Sequence, residues 1–377
     1  MSSKEKLKEK IFSEFSVFMQ RLLNTEMKNV LLIAHSDIDC LVSTYCFEKY
    51  LIKEINSKIN IEIVCVPYTG NDDIYFNRIK QRVDTSKFDT VIMLDHFREK
   101  FPQLFLCKNF FCIEHHKGTI DNINIFNISN YFKKPETTSS LGSFLFSYTR
   151  DKVNYPQFFT MIAKLTDGLY NLNSTFIKLT KKEEDLLMFF GLPRYEFLEI
   201  TSFFEAFINM EEVNVYPIFR KAIDSNDFFY YRISNDKEIS NLREIYKKYK
   251  EDLDNLIDQL LTTNKPKIFE KEHLCLIELE EKDAEFNRPL HKINEIRYPT
   301  YFSLILIKLK EGYKISYRSS TIKFNAIKKI KPTVIKYCDA FNGHPQAGGG
   351  FVKIEYKDKF VEDVKIILNK HFEKKKN

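Results

Sequence analysis

The feature that most constrains this chain is a repeated junction: a short apolar run that stops at an acid or a histidine. Asn29–Ala34 (NVLLIA) runs into His35-Ser36-Asp37-Ile38-Asp39. Val91–Leu94 runs into Asp95-His96, and Phe110–Ile113 into Glu114-His115-His116. Uninterrupted apolar runs of this length suit strands buried on both faces, as in a parallel sheet. Ile59–Pro67, Asp89–Asp95 and Phe110–Glu114 complete the first set of predicted strands. Helical patterns at Leu41–Lys58, Asn71–Val83, Thr137–Tyr148 and Pro156–Leu169 lie between and after them. Strand alternating with helix predicts an α/β domain with a parallel sheet and right-handed crossovers.

The character then changes. Leu242, Ile245, Tyr249, Leu253, Leu256 and Leu260 recur at three- and four-residue spacing, which predicts a long amphipathic helix stopped by Pro266. Beyond it, Leu274–Glu280, Tyr301–Lys308, Tyr313–Arg318 and Phe351–Tyr356 read as strands, with helices at Leu290–Ile296 and Val361–Lys370 and a basic tail at Lys374–Asn377. The expected organisation is a first domain over 1–195, a helical connector over 196–265, and a smaller α/β domain with a mixed sheet over 266–377. Neither an internal repeat nor a low-complexity tract is evident.

Composition narrows the class. At 377 residues and 44% hydrophobic, the chain is long enough for two cores and too apolar for wholesale disorder. No uncharged apolar stretch approaches the roughly 18 residues of a membrane span, and the N-terminus lacks a signal-peptide pattern. The 7 cysteines form no CxxC pair, which argues against a zinc ribbon or a disulfide framework and for a reducing, cytoplasmic setting. A net charge of +6 permits a phosphate-bearing ligand without demanding one. Scarce residues are unevenly placed: of 10 glycines in the chain, Gly343, Gly348, Gly349 and Gly350 fall in one short segment around His344.

Ligands of open α/β sheets bind outside the carboxyl ends of the strands. His35, Asp37, Asp39, Asp95 and His115 all follow strands there, and Asp167 lies in a later helical run. Taken singly, each acid is as well explained as a turn or cap residue. Together they supply donors enough for two divalent cations, and Asp and His without Cys suit Mn²⁺ or Mg²⁺ rather than structural zinc. A two-cation centre activates water and stabilises the leaving oxygen of a phosphoester. Arg318 ends a predicted strand, where a guanidinium could grip phosphate. The glycine-rich run is expected to be a loop whose amides cradle an anion, with a flexible hairpin turn as the alternative.

This ordered set resembles the DHH phosphoesterase superfamily, in the subgroup with a DHH-associated C-terminal domain. RecJ-type exonucleases, nanoRNases and some cyclic-dinucleotide phosphodiesterases belong to it. His35-Ser36-Asp37-Ile38-Asp39-Cys40 resembles the opening HxDxDG motif in the form closest to archaeal RecJ-like proteins, Asp95 the isolated strand-end acid, Glu114-His115-His116 the DHH triplet, and Asp167 the later acid. Arg318-Ser319 and Asn342–Gly349 resemble the signatures of the C-terminal domain. The resemblance implies that His35, Asp37 and Asp95 hold one Mn²⁺ and that Asp39, Asp95, His115 and Asp167 hold a second, with Asp95 bridging. It implies that His116 meets the scissile phosphate or assists the leaving group. It also implies that Arg318, Ser319, Gly343, His344, Gly348 and Gly349 hold the substrate, in a cleft between domains.

The sequence departs from the motifs at Glu114 (usually Asp), Cys40 (usually Gly) and Asn342 (usually Gly). All the implied metal ligands are present. The expected activity is a Mn²⁺-dependent exonuclease on single-stranded DNA, RNA or short oligonucleotides, alone or with a replication or repair partner. Hydrolysis of a small nucleotide and a catalytically inactive replication scaffold of the same fold are the alternatives.

Overall fold

The computed structural model describes residues 3–55, 59–66, 72–95, 100–115, 122–131, 140–156, 159–160, 162–163, 203–204, 206, 214–225, 234–263, 265–319, 324–344 and 346–376. They form two compact units, Met1–Tyr246 and Lys247–Asn377.

In the first unit, α1 (Ser3–Leu23) precedes β1 (Asn29–His35), α2 (Ile38–Glu54), β2 (Asn60–Val66), α3 (Asp72–Arg82), β3 (Thr90–Leu94), β4 (Asn109–Glu114), β5 (Ile125–Asn127), α4 (Leu141–Thr149) and α5 (Tyr216–Asp224). The strands make one sheet in the order β2-β1-β3-β4-β5. Every pairing in it is parallel. From β1 the chain first adds β2 on one side and then returns to add β3 on the other. That reversal opens a crevice at the carboxyl ends of β1 and β3, the general ligand position of such sheets.

Both faces of the sheet are buried, which is why its strands read as continuous apolar runs. Val30, Leu32, Ala34, Ile92, Leu94 and Ile113 pack with α1, α2 and α4. Leu31, Ile33, Val64, Val91 and Met93 pack with Tyr75, Phe76 and Ile79 of α3. The abundant aromatic residues serve this interior. Phe15 of α1 meets Phe126 at 4.8 Å, Phe144 at 5.0 Å and Tyr148 at 4.6 Å between ring centroids. Glu48 is buried on α2 and is held from α5 by the Tyr216 hydroxyl and the Arg220 guanidinium, each at 2.6 Å.

The first part of α6 (Lys237–Thr262) places Ile239 and Leu242 in the first unit's core. The second unit carries β6 (Lys267–Phe269), β7 (Leu274–Glu280), α7 (Asn287–Arg297), β8 (Phe302–Lys308), β9 (Gly312–Arg318), β10 (Cys338–His344), β11 (Ala347–Lys353) and α8 (Lys357–Lys376). They build a six-stranded sheet in the order β10-β11-β9-β8-β7-β6. It is mixed: β7 and β8, joined across α7, are parallel, and the other pairs are antiparallel. One face packs Leu304, Ile315 and Tyr317 on Phe360, Val364 and Leu368 of α8. The other packs Ile277, Ile305 and Ile307 on Leu290 and on Leu256 and Leu260 of α6.

The glycine-rich segment takes the alternative of its two sequence readings. It is a β-hairpin, not an open loop: Gly343 pairs with Gly348, and Gly348–Gly350 lie inside β11 opposite Ile315–Tyr317 of β9. Close backbone approach is the reason for glycine. Gly343 has φ +128°, and a Cβ there would stand 2.5 Å from Gly348 Cα. One on Gly349 would stand 2.5 Å from the Ile315 carbonyl oxygen. The strand expected at Phe351–Tyr356 accordingly begins earlier, at Ala347, and ends at Lys353. Among the described residues, no helix is long and apolar enough to cross a membrane.

Candidate metal centre

The first donors come from the β1–α2 junction. Asp37 is the N-cap of α2, and its Oδ1 accepts the Cys40 amide at 3.0 Å. Its other oxygen lies 3.2 Å from His35 Nδ1 at the end of β1. The cap role expected of an Asp in such a turn is therefore real, and it leaves the second oxygen facing His35. Asp39, in the first turn of α2, is buried.

Asp95 follows β3 directly. Its φ of +70° is left-handed, a conformation Asp tolerates better than most residues. Its amide is held by the Ile113 carbonyl at 2.9 Å, which ties the turn to β4. His115 follows β4, and its Nε2 lies 2.5 Å from Asp95 Oδ1. Glu114 accepts the His115 amide at 2.8 Å and is buried, so this acid orients its histidine neighbour through the backbone.

The structure thus brings together His35, Asp37, Asp39, Asp95 and His115, residues from three strand ends. With Cys40 they form two adjoining donor sets that could each hold a metal ion. One is His35, Asp37 and Cys40, and the other is Asp39, Asp95 and His115, with ligand atoms within 4.8 Å of one another in each. The sets meet where the Cys40 thiol donates to Asp95 Oδ2 at 2.9 Å. His35, Asp37 and His115 retain side-chain exposures of 15%, 12% and 12%, so solvent reaches the donors from this side.

Electrostatics follow from carboxylates crowded in a low-dielectric site. Burial first, then Asp95 and Asp37, push the Asp39 carboxyl up to about 7, against the opposing pull of His115 and the Gly142 amide. Burial alone would lower the His115 imidazole, but the Asp95 carboxylate outweighs it and lifts the group to about 10. Burial and the nearby carboxylates push the Cys40 thiol well above its usual range. A cation placed among these groups would relieve the repulsion, and their oxygen and nitrogen donors fit Mn²⁺ or Mg²⁺.

Three residues of the site escaped sequence reading. Leu141 and Gly142, at the start of α4, donate their amides to Asp39 at 3.1 and 2.8 Å. Ser140 caps that helix by accepting the Ser143 amide at 3.1 Å. The serine before an apolar helical run was the available signal; the bond from Leu141 to a residue 102 positions earlier was not. Cys40, noted in sequence only as a departure from the motif, is the third.

The remaining expected residues divide. His96, His116 and Asp167 lie outside the described residues. Arg318 ends β9, half-buried, and its guanidinium donates to the Tyr317 carbonyl at 3.2 Å. Ser319 is buried and donates its hydroxyl to the Phe324 carbonyl at 2.7 Å. The backbones of His344 and Arg318 both register with Ala347. Near Arg318, the buried imidazole of His291 bridges the hydroxyls of Ser303 at 2.8 Å and Ser316 at 2.9 Å. Burial, with the Arg318 charge adding to it, holds His291 well below its usual range and therefore neutral.

No family model and no curated protein matches the chain in sequence. Solved structures do match. The chain is similar to RecJ of Thermus thermophilus, solved in complex with Mn²⁺, at 12% identity and TM-score 0.56, over 97% of this chain and 55% of that one. It therefore spans about half the length of that protein. It is similar to an exopolyphosphatase-related protein of Bacteroides fragilis at 16% identity and TM-score 0.55, over 96% of each chain. It is also similar to the DHH domain of a member of a ribosomal-protein family, at 15% identity and TM-score 0.60, over 98% of this chain and 93% of that one. Identities this low speak to architecture, and the architecture agrees over nearly the whole chain: this protein has the fold of the DHH phosphoesterase superfamily.

Proposed function

We propose that the chain is a metal-dependent phosphodiesterase that releases mononucleotides from single-stranded DNA, RNA or short oligonucleotides. The observation that carries this reading is the pair of adjoining donor sets at the β1–β3 crevice. His35, Asp37, Asp39, Asp95 and His115 would hold two Mn²⁺ or Mg²⁺ ions, with Asp167 as a further ligand and Asp95 shared. Bound there, the cations would supply Lewis-acid stabilisation of the phosphoryl oxygens and a water ionised at neutral pH.

The chain's own residues do the rest. Asp39 is fixed by the α4 amides, so its carboxylate is oriented before any cation arrives. Such preorganisation avoids reorganisation during reaction. Glu114 fixes His115 through its amide. We assign His116 to the scissile phosphate or the leaving oxygen. Arg318, with the β10–β11 hairpin bearing Gly343, His344, Gly348 and Gly349, is assigned to a phosphate of the substrate.

The test is hydrolysis of end-labelled single-stranded DNA and RNA of graded length with Mn²⁺. Laddering from one end supports the exonuclease. Cleavage confined to dimers or to a small cyclic dinucleotide replaces it with the small-nucleotide reading. No turnover of any phosphodiester by folded, Mn²⁺-loaded protein contradicts both and leaves the non-catalytic scaffold.

A further inference from the structure

We propose that Cys40 is itself a metal ligand, so that the position bounded by His35 and Asp37 is a His–Asp–Cys site selecting thiophilic divalent cations such as Zn²⁺, Co²⁺ or Cd²⁺. The inference rests on the metal-centre reading above and deepens it, by making the two cation positions chemically unlike.

Geometry carries the argument. Ligand-capable atoms of His35, Asp37 and Cys40 lie within 4.8 Å of one another, the span of a single coordination sphere. The thiol is aimed at the centre, with its Sγ 2.9 Å from Asp95 Oδ2, the carboxylate that links the two sets. Cys46 and Cys65 are buried in the same unit, yet neither enters a donor cluster among the described residues. The Asp37 cap contributes to the aim: by accepting the Cys40 amide at 3.0 Å, it pins residue 40 in the first turn of α2. A glycine at this position, as in the motif the chain resembles, would leave only His35 and Asp37 in the set.

Donor chemistry sets the selectivity. Thiolate prefers soft and borderline cations, whereas an oxygen-rich set suits Mn²⁺ or Mg²⁺. His35–Asp37–Cys40 offers nitrogen, oxygen and sulfur, while Asp39–Asp95–His115 offers two carboxylates and one imidazole. On coordination the S–H bond breaks, its electron pair goes to the cation and its proton to solvent; a bound cation drives this outright. Cation uptake at this position therefore releases the thiol proton, which Cys40→Ser would not supply.

The experiment titrates the full chain with Co²⁺ and follows its absorbance. The proposal expects a thiolate-to-cobalt charge-transfer band in the near ultraviolet, lost in Cys40→Ser while the visible cobalt bands persist. It also expects Cys40→Ser to weaken Cd²⁺ by at least about tenfold, the low end of losses from outer-shell changes alone, and to change Mn²⁺ affinity far less. An unchanged melting transition shows that the variant folds. Co²⁺ uptake without the band, or a band that survives Cys40→Ser, overturns the proposal and leaves the metal centre standing. No uptake of Co²⁺ or Mn²⁺ by the wild-type chain overturns both.

Discussion

The amide of Gly142 donates to Oδ1 of Asp39 at 2.8 Å, and a Cβ on residue 142 would stand 2.8 Å from that same oxygen. The helix start that holds the carboxylate can do so only because it carries no side chain there. The same Cβ would meet Val42 Cγ1 at 2.9 Å, so α4 could not approach α2 as it does.

Gly142→Ala therefore tests whether α4 sets the site. Alanine in an ordinary helix interior gains up to about 1 kcal/mol over glycine. Here overpacking should cost about 1–3 kcal/mol instead, and Mn²⁺ affinity should fall about 10- to 100-fold. Thermal melting and calorimetric Mn²⁺ titration read the two effects. A stabilised variant with unaltered Mn²⁺ affinity would refute the role.

Stability of the cation-free protein should decline with pH. Asp39, raised chiefly by burial, titrates in the fold at about 7, and His115, raised by Asp95 against its burial, at about 10. Their unfolded values are about 4 and 6.5. Each folded value exceeds its unfolded one, so each contribution is present at low pH and lost as pH rises: Asp39 from about 4 through 7, His115 from about 6.5 through 10. Chelator-treated protein should melt lower at pH 9 than at pH 6, and saturating Mn²⁺ should flatten or reverse the trend, because its ligands bind deprotonated. Melting that rises with pH in chelator would contradict the electrostatic account.

Arg220→Ala should destabilise the first unit by about 1–3 kcal/mol, the cost of leaving a buried acceptor short of a donor. The acceptor is Glu48, which among the described residues keeps the Tyr216 hydroxyl after the change. Denaturant unfolding checks it, and Arg220→Lys should recover part of the loss. A neutral Arg220→Ala would mean that the pair contributes nothing.

The strand-end donors were legible because each follows an apolar run, and order along the chain grouped them. Other parts were not. α1 buries Ile11, Phe15, Phe18, Met19 and Leu22 at helical spacing, but dense charges around them mask the stripe. β5 is 3 residues long, too short for alternation to register. Gly348–Gly350 read as loop because glycine is poor in strands. What keeps Gly349 a glycine is the Ile315 carbonyl of the neighbouring strand, a tertiary fact. The Cys40–Asp95 contact joins residues 55 positions apart, and no local pattern encodes it.

Arg318→Ala should raise KM for an oligonucleotide about tenfold or more while kcat changes less, as expected when a phosphate contact is made equally in ground and transition states. Steady-state kinetics on a short single strand distinguishes this from a fall in kcat alone, which would remove Arg318 from substrate binding.

The central claim is tested most directly by Mn²⁺-dependent phosphodiester turnover in the wild-type chain beside Asp95→Asn. Asparagine suits the φ of +70° at this position, so the fold is spared and only the shared carboxylate is lost. The account predicts turnover that appears with Mn²⁺, vanishes with chelator, and falls by about a thousandfold or more in the variant, the scale of about 4 kcal/mol of lost transition-state stabilisation. Turnover by Asp95→Asn at the wild-type rate, or none by the Mn²⁺-loaded wild type, would contradict it.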